Sequence, residues 1–186
     1  MHTNKSKGFT IVELLIVIVV IAILAAITIV AYNGIQNRAN NTKTIAAAGQ
    51  IVKLVKSYLA TYDSYPGTAN VCATKDRVCT TGAGVVNTAN NTALMTELQK
   101  NGEPPAENSQ SVSGNYGIQY IYESAATFNG TAAPVRIEYW LAGDAQGCGL
   151  SNVSNGSTSA SVSSTTGYTN SSSGRTTCWI RIGKEV

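Results

Sequence analysis

Charge and histidine are what this chain has least of. Asp, Glu, Lys and Arg together make up 12% of its 186 residues, so solubility must rest on Ser, Thr, Asn and Gly. The only histidine is His2, which leaves the rest of the chain without the commonest general base and metal ligand. There is no Cys-x-x-Cys pair, no phosphate loop and no nucleophile elbow, so zinc, nucleotide and hydrolase chemistry lack their residues. Glu123 and Glu138 fall on or beside strand candidates with no partner visible in the sequence. A protein that is not an enzyme, with no cofactor and no metal, is expected. The net charge of +3 is too small for a nucleic-acid surface, and no nucleic-acid partner is expected. Lys5 and Lys7 contribute two of those charges, so the chain beyond residue 8 is close to neutral.

Proline is absent before Pro66, and acids are absent between Glu13 and Asp63. Residues 1–8 are short, basic and polar, like the start of an export signal, but the apolar run after them is too long for a cleaved signal core. Only Thr28 interrupts residues 14–30. Residues 9–32 as a helix span about 36 Å, enough to cross a membrane with some tilt. Lys5 and Lys7 place the N-terminus on the cytoplasmic side. Ile35, Ala39, Thr42, Ile45, Ala48, Val52, Val55, Leu59 and Tyr62 then recur at three- and four-residue intervals, an apolar stripe of helical period. One helix over residues 9–62 is expected, roughly 80 Å long, apolar all round at first and amphipathic over residues 33–64.

Tyr65-Pro66-Gly67 ends that helix and opens a C-terminal domain, residues 65–186. A short helix is expected over residues 93–100, with Asn91 or Thr92 as cap and Asn101-Gly102 as stop. Residues 116–122, 135–141 and 177–182 alternate as strands: Tyr116, Ile118, Tyr120 and Tyr122 on one face, then Val135, Ile137, Tyr139 and Leu141, then Cys178, Ile180 and Ile182. The fold class is α+β, a long helix packed on a small antiparallel sheet of about three or four strands. Residues 143–176, rich in Ser, Thr, Asn and Gly, are expected to form a long exposed loop. Cys72, Cys79, Cys148 and Cys178 all follow the apolar run. In an exported domain they imply two disulfides with three possible pairings. Cys72 with Cys79 and Cys148 with Cys178 is the favoured pair.

The segment Gly8-Phe9-Thr10-Ile11-Val12-Glu13, running into Leu14-Leu15-Ile16-Val17-Ile18-Val19, resembles the N-terminal motif of type IV pilins and of the pilin-like proteins of secretion and competence systems. The resemblance implies that residues 1–8 are a leader, cut between Gly8 and Phe9 by a membrane prepilin peptidase. Phe9 would then be N-methylated, which keeps the amine's positive charge. It also implies that Glu13 pairs with the amine of Phe9 on a neighbouring subunit. The physical case agrees: an unpaired carboxylate at that depth costs up to about 3 kcal/mol, and a buried ion pair specifies register more than it stabilises. Without that context Glu13 reads as an interfacial acid or as one that favours the helix dipole.

The function so implied is a structural subunit of a type IV pilus. It begins as a single-pass precursor in the cytoplasmic membrane and ends in an extracellular homopolymer raised by pilus assembly machinery, with adhesion among its uses. The alternatives are a pseudopilin or minor pilin of a type II secretion or DNA-uptake system, and a membrane-anchored binding ectodomain that never polymerises. One departure is visible. Many members of the family carry a proline late in the apolar run, and Ile27-Thr28-Ile29-Val30 has none. The helix is therefore expected to stay continuous, with Asn33-Gly34 as its weakest point.

Other signals are weaker. Asn40, Asn90, Asn129, Asn152, Asn155 and Asn170 satisfy Asn-x-Ser/Thr, as chance allows in so polar a chain. Asp144 has no second acid at calcium-ligand spacing. Arg38, Lys43, Lys53 and Lys56 make a basic helix, read as a solvated or subunit-facing surface that meets acids from elsewhere, such as Asp63, Glu97 or Glu103.

Overall fold

The computed structural model describes residues 8–76, 78–81, 84–86, 91–106, 111–128, 131–150, 153–154, 167–172 and 174–184. Lys5, Lys7 and the sites at Asn90, Asn129, Asn152 and Asn155 lie outside the described residues, as do the side chains of Tyr116 and Asn170. Helix α1 (Ile11–Tyr62) has 52 residues and contains a stretch of mean hydropathy 3.4, long and apolar enough to cross a membrane. It runs unbroken through residues 27–34, where no proline removes a ladder hydrogen bond. The chain divides into two units, Met1–Arg38 and Ala39–Val186.

In the first unit the helix carries apolar side chains on every face, and Phe9, Leu14, Ile18, Ile23 and Ile29 are each more than half exposed. Thr28, the polar interruption, satisfies its own hydroxyl by donating to the Ala25 carbonyl at 2.9 Å. A helix apolar all round needs lipid or other helices as its solvent.

The second unit adds, in chain order, β1 (Val71–Cys72), β2 (Cys79–Thr81), β3 (Gly84–Val86), α2 (Thr92–Gln99), β4 (Ser111–Val112), β5 (Asn115–Tyr116), β6 (Ile118–Tyr122), β7 (Thr127–Phe128), β8 (Thr131–Ala132), β9 (Val135–Ala142), β10 (Val153–Ser154), β11 (Gly167–Ser172) and β12 (Arg175–Ile182). One sheet has the order β1-β6-β9-β12-β11-β10, antiparallel except where β10 meets β11. Its four long strands, β6, β9, β12 and β11, are the small antiparallel sheet the sequence predicts, and β1 and β10 are two-residue edges.

Cross-strand register stacks Ile118, Tyr139 and Cys178 in one row and Tyr120, Ile137 and Ile180 in the next. These side chains share one core with Ala48, Ile51, Val55 and Leu59 of α1 and with Leu94 and Leu98 of α2. Each fully buried aliphatic among them contributes on the order of 2 kcal/mol. β12 buries alternate residues as the pattern predicts, and β9 does so except that Trp140 is buried as well. β6 differs, because Gln119 and Ile121 are buried as well as Ile118 and Tyr120. The predicted strand 116–122 is also split at Gly117, whose φ of +62° is the left-handed conformation that glycine tolerates.

The buried stripe of α1 is rotated from the predicted one. Ile35 and Tyr62 are exposed, whereas Asn41, Thr44, Ala47, Ile51, Leu54 and Tyr58 are buried. Counting apolar residues alone missed the start of this face because Asn41 and Thr44 open it. The Asn41 amide donates to the Ala142 carbonyl at 2.9 Å and accepts from the Ala142 N–H at 2.8 Å, so it completes the end of β9 as a strand would. Asn91, one of the two residues expected to cap α2, stands at its N-cap, but its side chain makes no cap bond. Its buried amide donates instead to the carbonyls of Cys72 at 2.9 Å and Thr74 at 2.6 Å.

The expected loop over residues 143–176 is shorter than predicted, since β10, β11 and the first residues of β12 lie within it. Strand β11 is polar, so hydrophobic alternation could not reveal it; its backbone ladder with β12 runs from Tyr168↔Trp179 to Ser172↔Arg175. Residues 155–166 lie outside the described residues. Residues 143–150 are tied down: Thr176 Oγ1 donates to the Gly143 carbonyl at 2.7 Å and accepts from the Gln146 N–H at 2.9 Å. Asp144 accepts from the Gly174 N–H at 3.0 Å, which gives that acid a structural partner. Of the three pairings open to four cysteines, the structure has Cys72–Cys79 and Cys148–Cys178, with Cα–Cα separations of 5.4 and 5.8 Å.

Candidate functional site

The residues singled out in the sequence lie where the chain enters α1. Gly8, Phe9 and Thr10 precede the first helical residue, Ile11, and all three are exposed. A Cβ at Gly8 would meet nothing within 4 Å among the described residues.

Glu13 has a partner that the sequence reading did not assign. Thr10 donates to Glu13 Oε2 from its backbone N–H at 2.8 Å and from its hydroxyl at 2.7 Å. In return the Glu13 N–H donates to Thr10 Oγ1 at 3.2 Å. This is a reciprocal capping box, in which the cap hydroxyl and the acid three residues on satisfy each other's backbone donors. Its signature was present as Thr-x-x-Glu ahead of an apolar run. The box neutralises two of the four orphan N–H groups at a helix start. It also holds the carboxylate back along the chain towards Phe9. A charge that enters an apolar medium is thus hydrogen-bonded within its own chain before any second chain arrives.

Replacing Thr10 with valine removes the cap at nearly constant volume. Loss of such a cap costs about 0.5–2 kcal/mol. Amide exchange at residues 10–13, followed by NMR on the full chain in micelles, should accelerate from about twofold to about thirtyfold. Thr10→Ser should restore protection; unchanged exchange in the valine variant would rule out the box.

Each of the acids offered as partners for the basic helix has a lysine partner. Lys184 pairs with Asp63 at 2.6 Å, Lys100 with Glu97 at 2.6 Å, and Lys75 with Glu103. Tyr58 also donates its hydroxyl to Glu97 at 2.5 Å. Glu123 and Glu138 have partners that the sequence did not disclose. Arg181 and Arg136 both pair with Glu123, and Arg136 lies 3.5 Å from Glu138. Both guanidiniums lie near the Trp179 ring, Arg136 at 5.6 Å and Arg181 at 5.8 Å from its centre, within cation–π range. Burial pushes the Glu138 carboxyl above its ordinary value, and Arg136 draws it partly back. These contacts join separate strands, and sequence spacing carries no signal for them. Among the described residues no group of His, Cys, Asp and Glu could hold a metal ion.

Comparison with known proteins gives the N-terminal segment its context. The profile of the prokaryotic N-terminal methylation motif matches residues 3–29. The chain is also 44% identical over 62 residues to the type IV wide pilus major component PilA4 of Thermus thermophilus. That alignment covers 33% of this chain and 47% of the relative, so the chain spans about half the length of the curated relative it matches. No solved structure matches the chain. The likeness is to a structural component of a pilus and not to an enzyme.

Proposed function

We propose that this chain, which carries the type IV pilin methylation motif at its N-terminus, is a pilin: a structural subunit that polymerises through α1 into an extracellular filament. The observation that carries this reading is the motif itself, Gly8-Phe9 with Glu13 five residues into the mature chain, at the head of an exposed apolar helix. In the precursor the helix spans the cytoplasmic membrane, with the N-terminus inside and the disulfide-bonded domain outside. A prepilin peptidase cuts between Gly8 and Phe9, and Phe9 is methylated. In the filament the apolar faces of the helices solvate one another. Helical head-to-tail packing is a heterologous interface that does not close into a ring.

The capping box adds a step to this scheme. Before cleavage the nitrogen of Phe9 is an uncharged amide, and Thr10 is the Glu13 partner. Cleavage creates a cation at Phe9, and Glu13 of another subunit is then the anion at matching depth. The likeness to a major pilus component favours a major pilin over a pseudopilin.

The test is mass spectrometry of filaments sheared from cells that produce this chain. The expected result is abundant filament protein whose N-terminus is methylated Phe9. A chain that stays with the cell after shearing would point to a pseudopilin, and a chain still starting at Met1 would overturn the reading.

A further inference from the structure

The sheet has two faces; the main core packs on one, and Gln119, Ile121 and Trp140 are buried on the other. Cross-strand register puts Gln119, Glu138 and Trp179 in one row of the opposite face, with Trp140 beside Thr177 and Arg175 beside Ala142. Residues that pair across strands share a face. On this face lies a groove of about 480 Å³, lined by side chains of β6, β9 and β12 and walled by Asn70, Thr80 and Asn115. That volume falls in the range of about 300–1,000 Å³ usual for small-ligand sites.

On this face Glu123, which also lines the groove, pairs with Arg136 and Arg181, and Trp179 lies beside both guanidiniums. Two guanidinium donors are left over. The Nε atoms of Arg175 and Arg136 are both buried and have no hydrogen-bond acceptor among the described residues. Arg136 Nε lies 3.5 Å from Glu138 Oε2, an ion-pair distance at which no hydrogen bond is made. Arg175 has no ion-pair partner within 4.0 Å among the described residues, although Glu138 feels its charge. Buried guanidinium donors call for an acceptor, and a planar carboxylate fits their fork best. Around them Gln119, Thr177, Asn115 and Glu138 alternate donors and acceptors, the complement of sugar hydroxyls. Among the described residues the apolar lining is Ile121 and Trp140, too little for the side chains of a peptide.

The geometry points to a binding site for an acidic saccharide, its carboxylate on Arg175 and its ring hydroxyls on Gln119, Glu138 and Thr177. The site does not depend on polymerisation, so it stands apart from the filament reading. It would let the folded domain hold a polysaccharide that carries uronic-acid units.

The chain reports on this site by itself, because Trp140 and Trp179 are its two tryptophans and both lie on this face. The full chain in micelles is titrated at physiological salt with trigalacturonate and, separately, with neutral galactotriose, and tryptophan emission is followed. A saturable change is expected, at least about tenfold tighter for the acidic sugar. Arg175→Gln should weaken it at least about tenfold, and Arg175→Lys should recover part of that loss, since lysine keeps the charge without the fork. Lys53→Gln, on α1, should leave it unchanged. Absence of saturation up to about 10 mM, equal binding of the neutral sugar, or an Arg175→Gln protein that binds normally would overturn the assignment. So would tighter binding of a short peptide with a free C-terminal carboxylate. The two-sugar comparison on the unaltered chain decides the matter even if a variant does not fold.

Discussion

Glu13→Ala should leave the chain processed and membrane-inserted but reduce surface filaments by about a hundredfold or more. Removing one partner of a buried ion pair costs about 3–5 kcal/mol, because the other charge stays buried without an opposite. Every subunit in a filament would carry that cost. The surviving cation at Phe9 would then sit in a bundle of apolar helices, where Leu14, Ile18 and Ile21 line the same segment. Immunoblots for cleavage and electron microscopy for filaments read the two halves of the outcome separately.

Glu13→Gln separates the two partners that Glu13 has. Glutamine can complete a capping box with Thr10 as glutamate does, but it carries no charge for an amine. If the carboxylate acts in assembly by pairing between subunits, the glutamine variant should fail nearly as badly as alanine while its helix start stays protected. If its role is confined to the bonds with Thr10, the glutamine variant should assemble normally and the inter-subunit pairing would be wrong.

How much of this was legible beforehand depended on which force acted. The apolar run, the helix beyond it and the strands β9 and β12 were legible because one-sided burial imposes a period on the sequence. The stripe on α1 was misplaced because Asn41 and Thr44 are buried by hydrogen bonding, which leaves no hydrophobic trace. Strand β11 was missed for the same reason: its side chains alternate no polarity, and its ladder to β12 is made by the backbone. At the candidate site, Gly8, Phe9 and Glu13 could be named because the motif is contiguous. The Thr10 cap is equally contiguous, as Thr-x-x-Glu, but the same carboxylate also suits an amine on a second chain, and spacing alone does not choose between the two. The groove around Arg175 was illegible, since its residues come from three strands whose register no spacing reveals.

The two disulfides should differ in worth, and the larger loss should follow removal of Cys148–Cys178. That bridge closes a separation of 30 residues, the other one of 7. On the loop-entropy account these constrain the unfolded chain by about 3.6 and about 2.4 kcal/mol. The longer bridge also fixes the far end of residues 143–150, whose near end Thr176 and Asp144 hold by hydrogen bonds. Tyr139 donates its buried hydroxyl to the Cys148 carbonyl at 2.7 Å. The next residue, Gly149, has φ +68° and lies so close to Ile45 of α1 that a Cβ there would come within 2.7 Å. Without the covalent tie, residues 148–150 can leave the helix, and Tyr139 then loses its acceptor inside the core. A Cys148→Ala/Cys178→Ala double variant should therefore lose about 3–5 kcal/mol, seen in urea unfolding of the full chain in micelles. Its Tm should fall by roughly 6–20 °C. The Cys72→Ala/Cys79→Ala variant should lose about 2 kcal/mol, since Asn91 still binds the Cys72 and Thr74 carbonyls. The reverse order of losses would show that the short bridge, and not the anchor between residues 143–150 and β12, holds the domain on its helix.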